Sequence, residues 1–247
     1  HFSANNAGYS AHRPTYPPEL VDFLADASPA HDLALDVACG TGQLTVGLAD
    51  RFAQVIATDA SAQQIANATP HDHILYRTAP AEHSGLADAS ADLITVAQAA
   101  HWLDLDAFYA EARRVARPQA IIALITYGVL HVEGAEADAL TQSFYHDVIG
   151  PYWPPERKHV EDGYRALPFP FAPVAAPPLA ITRAWALDDL IGYIDTWSAL
   201  RAAEKTLGRA PIDTFREQLS GIWGDPASTR QISWPISLRV GRIISAV

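Results

Sequence analysis

The 247-residue chain has one cysteine, Cys39, so no internal disulfide can form and the fold must hold without a covalent staple. Methionine is absent altogether, which is odd at this length. Basic residues are scarce as well: 17 Lys and Arg stand against 28 Asp and Glu, a formal net charge of -11. A surface of that sign repels phosphate backbones and anionic bilayers, which argues against nucleic acid or a membrane surface as partner. No apolar run approaches the roughly 20 residues that cross a bilayer. The opening stretch from His1 to Asn6 lacks a basic region followed by an apolar one, so no signal peptide is expected there. The lone cysteine and the lack of a spanning run predict a cytoplasmic protein; a monomer or homodimer without a metal site is expected.

What is present suits a buried α/β core: 49% of residues are hydrophobic and 18% charged. Between Leu33 and about Gly128, short β-rich runs alternate with helical patterns, the rhythm of parallel strands joined by crossover helices. Residues 33–38, 55–58, 92–97 and 120–125 are expected as strands, with another starting at Ile74. Leu44, Leu48 and Phe52 mark one helix face, Ser61 caps a further helix, and Leu105, Phe108, Ala112 and Val115 mark another. Beyond Gly128, prolines at 151, 154, 155, 168, 170, 173, 177 and 178 break up a segment rich in Tyr, Trp and Phe, which suits an irregular cap. Helix returns over 187–200, and 236–240 alternates as a strand.

The strongest local signal is Asp36-Val37-Ala38-Cys39-Gly40-Thr41-Gly42, set between a strand and a helix. Glycine there lets the backbone turn sharply and lets a ligand come closer than a Cβ would permit, although a plain tight turn fits the same residues. Asp59, at the end of the next strand, sits where a carboxylate accepts hydrogen bonds from both hydroxyls of a ribose; the alternative is a cap for the helix after Ser61. Both features together argue for an adenosine-containing ligand. In a dinucleotide fingerprint starting at Gly40, the third small residue would fall at Thr45, a branched side chain where Gly or Ala is wanted. An acid at Asp36 would also repel a dianionic pyrophosphate, whereas S-adenosylmethionine brings a sulfonium and an ammonium against one carboxylate. The alternative for Asp36 is a buried acid satisfied by backbone amides, and the two readings are compatible with each other.

These residues resemble the class I S-adenosylmethionine-dependent methyltransferases, and more narrowly the branch of trans-aconitate methyltransferase-like proteins. Phe2-Ser3, Tyr9 and Arg13-Pro14-x-Tyr16-Pro17 look like that branch's N-terminal segment; residues 36–42 are similar to its first motif and Asp59-Ala60-Ser61 to its second. Ala79-Pro80-Ala81-Glu82 resembles the stretch near the adenine, and Asp92 to Gln98 with His101-Trp102 the fourth strand and its loop. Residues 151–157 and Trp197-Ser198 are similar to the cap and a late helix. In two places the chain departs from the pattern: Ala38 stands where many relatives carry glycine, and Pro118-Gln119-Ala120 stands where Pro-Gly-Gly is usual, which suggests different loop dihedrals.

The resemblance implies a Rossmann-like α/β fold with a mainly parallel seven-stranded sheet, helices on both faces and an inserted cap. A single domain over 1–247 is expected: an N-terminal lid and helix in 1–30, a cofactor-binding core in 31–128, a cap or substrate region in 129–200 and a C-terminal helix and strands in 201–247. It also implies S-adenosylmethionine as cofactor, held by Arg13, Asp36, Ala38, Gly40, Gly42, Asp59, Ala60, Ala81, Glu82 and Gln98, and a small-molecule acceptor; Arg13 either pairs with the methionine carboxylate or only holds the N-terminal segment down. His101 is the candidate base, since an unperturbed imidazole titrates near neutrality; the alternative is a structural His stacked on Trp102 or lining the methionine site. Trp102, Trp153, Tyr164 and Phe169 are candidate walls of the substrate pocket, or packing residues. The cluster Arg157-Lys158-His159 makes Arg157 the candidate receptor for a carboxylate acceptor, unless it is a solvated turn. Two rival readings stay open: a non-catalytic S-adenosylmethionine-binding protein, and an NAD(P)-dependent oxidoreductase, which Thr45 and Asp36 disfavour.

Overall fold

The computed structural model describes residues 15–244, so the N-terminal lid with Tyr9 and Arg13 lies outside the described residues. Two compact units are present. The first comprises Thr15–Gly128, Lys158–Ala180 and the residues from Pro235 on; the second comprises Val129–Arg157 and Ile181–Trp234.

The first unit opens with α1 (Pro18–Ala27) and then alternates strand and helix. The strands are β1 (Leu33–Val37), β2 (Gln54–Asp59), β3 (Ile74–Thr78), β4 (Ala91–Ala97) and β5 (Ala116–Tyr127). Between them lie α2 (Thr45–Ala49), α3 (Ala62–Ala66) and α4 (Leu105–Val115). The order β3-β2-β1-β4-β5 is parallel throughout, and the late strand β9 (Arg230–Arg242) closes it antiparallel to β5, with Thr126 opposite Ser237.

The period of two in the strands sorts their side chains onto two faces. In β5, Ile121, Ala123 and Ile125 face one cluster with Leu20, Leu24, Leu44, Leu48 and Phe52, whereas Ile122 and Leu124 face another with Phe108, Tyr109, Ala112 and Val115. Each fully buried Leu or Ile contributes about 1.5–3 kcal/mol, so the sheet is held between two apolar layers. Helix α4 starts where the Asp104 carboxylate accepts from the Ala107 amide at 3.2 Å. At the opposite end of the strands, buried Asp92 accepts from the amides of Asp32 and Leu33, each at 3.0 Å, and from Arg117 at 3.0 Å, which fixes the start of β1 against β4.

The second unit carries β6 (His131–Val132) paired with the first part of β9, and α5 (Ala135–Ser143) running into a π-helical turn at Phe144–Val148. After α6 (Arg157–Glu161), β7 (Ala172–Pro173) and β8 (Leu179–Trp185), it continues with α7 (Leu187–Asp195), α8 (Ser198–Leu207) and α9 (Ala210–Trp223). The sheet therefore has the seven strands expected on its main path, with β7 and β8 added beside β9.

The structure divides the cap differently from the expected span of 129–200. Residues 158–180 belong to the α/β unit because Val160, Tyr164, Leu167, Phe169 and Phe171 pack onto its apolar cluster. Residues 201–234 belong with the cap instead. The helix expected over 187–200 is two helices, parted where Trp197 turns extended at ψ 129°.

Candidate active site

Strands β1, β2 and β4 lie side by side, and their C-terminal ends carry most of the residues singled out from the sequence. As β1 ends, the chain turns through left-handed conformations at Ala38 (φ 53°), Gly40 (φ 59°) and Gly42 (φ 92°). A Cβ at Gly42 would lie 2.3 Å from the hydroxyl of Tyr76, so a side chain here would have to push Tyr76 aside in an already strained backbone conformation. Tyr76 was not singled out from the sequence, because only the register that sets it opposite Ala57 brings β3 beneath the loop. Its hydroxyl is buried with no hydrogen-bond partner among the described residues, and burial pushes it up to about 12, so it stays a neutral donor.

Asp59 joins the two motifs. One carboxylate oxygen accepts from the Gly40 amide at 2.9 Å and the other from the Ser61 amide at 2.8 Å. The cap-like role is therefore real, and it also ties the end of β2 to the glycine turn. Each oxygen keeps a further lone pair for a ligand hydroxyl.

Asp36 is 1% exposed. The hydroxyls of Thr45 and Thr95 donate to it at 2.6 and 2.8 Å, so the acid is satisfied by side-chain hydroxyls and not by the backbone amides of the alternative reading. Burial pushes its carboxyl up to about 6, although the two hydroxyls favour the charged form; nearby Asp59 adds to the rise. Thr45, too large for a dinucleotide fingerprint, thus serves as a hydroxyl for a buried acid. Cys39 is buried beside them, and burial pushes its thiol up, which makes it a poor nucleophile.

Gln98, just past β4, is also left-handed at φ 61°. Thr126 donates to its side-chain oxygen at 3.2 Å, and its Nε2 is buried with no partner among the described residues. His101 and Trp102 follow in a short 3-10 turn over Ala100–Trp102, their rings 4.7 Å apart. Trp102 is 53% exposed. Tyr164, expected as another wall, has no exposed surface; its hydroxyl reaches His101 Nδ1 at 2.9 Å. Phe169 is a packing residue, 5.2 Å from the Phe171 ring and covered by Arg239 at 4.9 Å. Ala60 is exposed directly after β2; Ala81 packs at the edge of the core and Glu82 faces solvent beyond β3.

Trp153 and Arg157 belong to the second unit and form a group of their own. The Arg157 guanidinium lies 4.9 Å from the Trp153 ring and 5.8 Å from that of Tyr145, and its Nε donates to the Tyr145 hydroxyl at 2.8 Å. Arg157 is thus half-buried against aromatic rings, whereas Lys158 beside it is exposed. Arg13 lies outside the described residues. Among the described residues, no group of three His, Cys, Asp or Glu is arranged to hold a metal, and no helix is long and apolar enough to cross a membrane.

The cradle that a Cβ would fill at Gly42, the pinned carboxylate at the end of β2 and the unpartnered amide past β4 fit a nucleoside cofactor bearing polar groups at both ends. Comparison with known proteins agrees. A methyltransferase-domain model matches residues 35–124, which span β1 to most of β5. A candidate methyltransferase of Dictyostelium discoideum is 34% identical over 221 residues, covering 88% of this chain and 84% of its own. The malonyl-[acyl-carrier protein] O-methyltransferase of Dechloromonas aromatica is 38% identical over 112 residues, 44% of this chain and 41% of that one. A solved structure described as a candidate type II methyltransferase from Anaeromyxobacter dehalogenans is 46% identical with a TM-score of 0.91, covering 95% of this chain and 99% of that one. The chain belongs to the class I S-adenosylmethionine-dependent methyltransferases.

Proposed function

We propose that the protein methylates a small molecule bearing a carboxylate. The observation that carries this reading is the pairing of Arg157 with Trp153, a guanidinium plane stacked on an indole whose N–H is buried with no partner among the described residues. A planar cation and an adjacent N–H suit the two oxygens of a carboxylate, and the aromatic surface around them lowers the local dielectric. The malonyl-[acyl-carrier protein] O-methyltransferase, by its name a relative with an oxygen acceptor, supports the same direction.

The cofactor residues divide the work. Asp59 would accept the ribose hydroxyls with the lone pairs left over from Gly40 and Ser61. Gly40 and Gly42 give the backbone its close approach, and Asp36 balances positive charge from within the sheet. The Gln98 amide would donate to the cofactor's carboxylate, with Ala60, Ala81 and Glu82 around the adenine. S-adenosylmethionine supplies a methyl group on a positively charged sulfur, which leaves as a neutral thioether. An acceptor carboxylate is already ionised at neutral pH, so no residue has to remove a proton, and the protein's task is to orient the oxygen and exclude water.

A screen with labelled cofactor against matched neutral and carboxylate metabolites tests this reading, with label expected only in the carboxylate set. On the acceptor found, Arg157→Ala should cost about 2–5 kcal/mol in kcat/KM and Arg157→Lys should recover little of it. A neutral acceptor, or full activity in both variants, would overturn the carboxylate. The cofactor assignment is tested apart: Asp59→Ala should lose roughly 2 kcal/mol of S-adenosylmethionine affinity by calorimetry, and equal affinity would remove Asp59 from the site.

A further inference from the structure

Tyr164 lies in an unusual setting for a bulky residue. It follows Gly163 in a turn where both residues are left-handed, at φ 65° and 62°. Such a conformation is strained for a non-glycine residue and persists only where the surroundings over-determine it. Here they do. The Tyr164 amide donates to the His159 carbonyl at 2.8 Å, and Arg239 donates to the Tyr164 carbonyl at 2.8 Å. A Cβ at Gly163 would lie 2.6 Å from the Ser237 hydroxyl, so the turn is also closed from that side. The outcome of this bracing is one contact: a ring with no exposed surface delivers its hydroxyl to Nδ1 of His101 at 2.9 Å, with the two rings 5.7 Å apart.

The direction of that hydrogen bond follows from the chemistry of the two groups. A phenol is a good donor and a mediocre acceptor, because its lone pairs are drawn into the ring. The unprotonated nitrogen of a neutral imidazole is a strong acceptor. We propose that Tyr164 is a positioning residue that donates a hydrogen bond to His101 Nδ1, so that His101 carries its own proton on Nε2 and meets the methyl acceptor as a hydrogen-bond donor. This deepens the carboxylate reading and rests on it for its purpose: an Nε2–H suits an acceptor already bearing negative charge, whereas a base would need a lone pair there. His101, the candidate base from sequence, is on this account an orienting group.

The tautomer can be read with neither acceptor nor cofactor present, so the result stands whatever the acceptor proves to be. The probe is the pair of ring ¹⁵N resonances of His101 at pH 8, above the ordinary imidazole range, assigned among the ten histidines by their loss in His101→Gln. The wild-type protein should show Nε2 protonated and Nδ1 unprotonated, and Tyr164→Phe should shift both resonances toward the average of the two tautomers. A role of Tyr164 in packing alone would lower the melting temperature of Tyr164→Phe and leave the ring signals where they were, which would overturn the proposal. Protonation at Nδ1 in the wild-type protein would overturn it as well and return His101 to the role of base.

Discussion

The cradle at the strand ends and the aromatic cluster of the second unit are assembled by different means. In the cradle the backbone does the work: amides of Gly40 and Ser61 hold Asp59, and left-handed turns at Ala38, Gly40 and Gly42 shape the loop. In the second unit side chains do it. Phe144 stacks on Phe215 at 3.9 Å, Tyr145 meets Trp197 edge-on at 5.4 Å, and Trp234 meets Trp185 at 5.1 Å and Tyr193 at 5.4 Å. A backbone site tolerates almost no added atom and little change of dihedral. An aromatic cluster is tolerant of shape but depends on volume. The two should therefore fail in different ways.

The largest expected effect is in the second unit. Phe215→Ala removes a ring that is 4% exposed and stacked on Phe144, and should cost about 3–5 kcal/mol of stability in thermal unfolding. Affinity for S-adenosylmethionine, measured well below the unfolding transition, should stay within about threefold of the parent. A parallel loss of affinity would show that the cradle depends on the cluster and would erase the contrast. Gly42→Ala comes next and strikes the cradle. The added methyl meets the Tyr76 hydroxyl in a backbone conformation of φ 92°, so cofactor affinity should fall roughly a hundredfold, about 3 kcal/mol. Gly42→Ala combined with Tyr76→Phe should recover part of that loss by removing the atom in the way. No recovery would mean that the dihedral alone sets the cost.

The same difference explains what the sequence could and could not reveal. The spacing from Asp36 through Gly42 to Asp59 is legible because parallel strands with short crossovers place their ends at fixed intervals, and the five parallel strands fall where the apolar runs lie. Tyr76 and Thr95 were missed because their roles arise only from register, β3 against β2 and β4 against β1. The fate of 158–180 was missed because its prolines read as irregular cap, while the apolar side chains between them answer to a core cluster far away in sequence. Aromatic composition marked the second unit, but in the first unit it did not distinguish Phe169, a packing residue, from Trp102, which is exposed.

Asp36 offers a sharper test of the backbone site through pH. Its folded carboxyl lies at about 6 against an ordinary 3.8, so the native state holds a proton that the unfolded chain has released. The stability from this group is full below 3.8 and is lost progressively as the pH rises through about 6. Asp36→Asn cannot ionise, so relative to the parent it should gain stability between pH 4 and 6 and level off above. The gain should reach about 1–2 kcal/mol once the weaker hydrogen bonds from Thr45 and Thr95 to an amide are subtracted. The variant should also bind S-adenosylmethionine more weakly above pH 6, having lost the charge that balances the sulfonium. A stability difference flat in pH would show that Asp36 is ionised throughout and that burial does not govern it.

The smallest effects separate two positions that share a backbone conformation. Ala38 and Gln119 are both left-handed, at φ 53° and 70°, and both stand where the family resemblance leads one to expect glycine. Gln119 falls within β5 near its start, not in a loop ahead of it, and its left-handed φ is one that glycine adopts without strain. Relieving one such residue with glycine is worth about 1–2 kcal/mol, and the greater freedom of glycine in the unfolded chain takes back about 0.4–1. Gln119 is exposed, and its backbone stays bound to Ile243 and Arg242, so Gln119→Gly loses no packing and should raise stability by about 0.5–1 kcal/mol. Ala38 packs against the core cluster beside β1, so Ala38→Gly also gives up a partly buried methyl, worth up to about 0.8 kcal/mol. That loss cancels most of the relief, and its melting temperature should stay close to the parent's. Equal gains in the two variants would mean that the Ala38 methyl contributes nothing, and that the motif is shaped by its dihedrals alone.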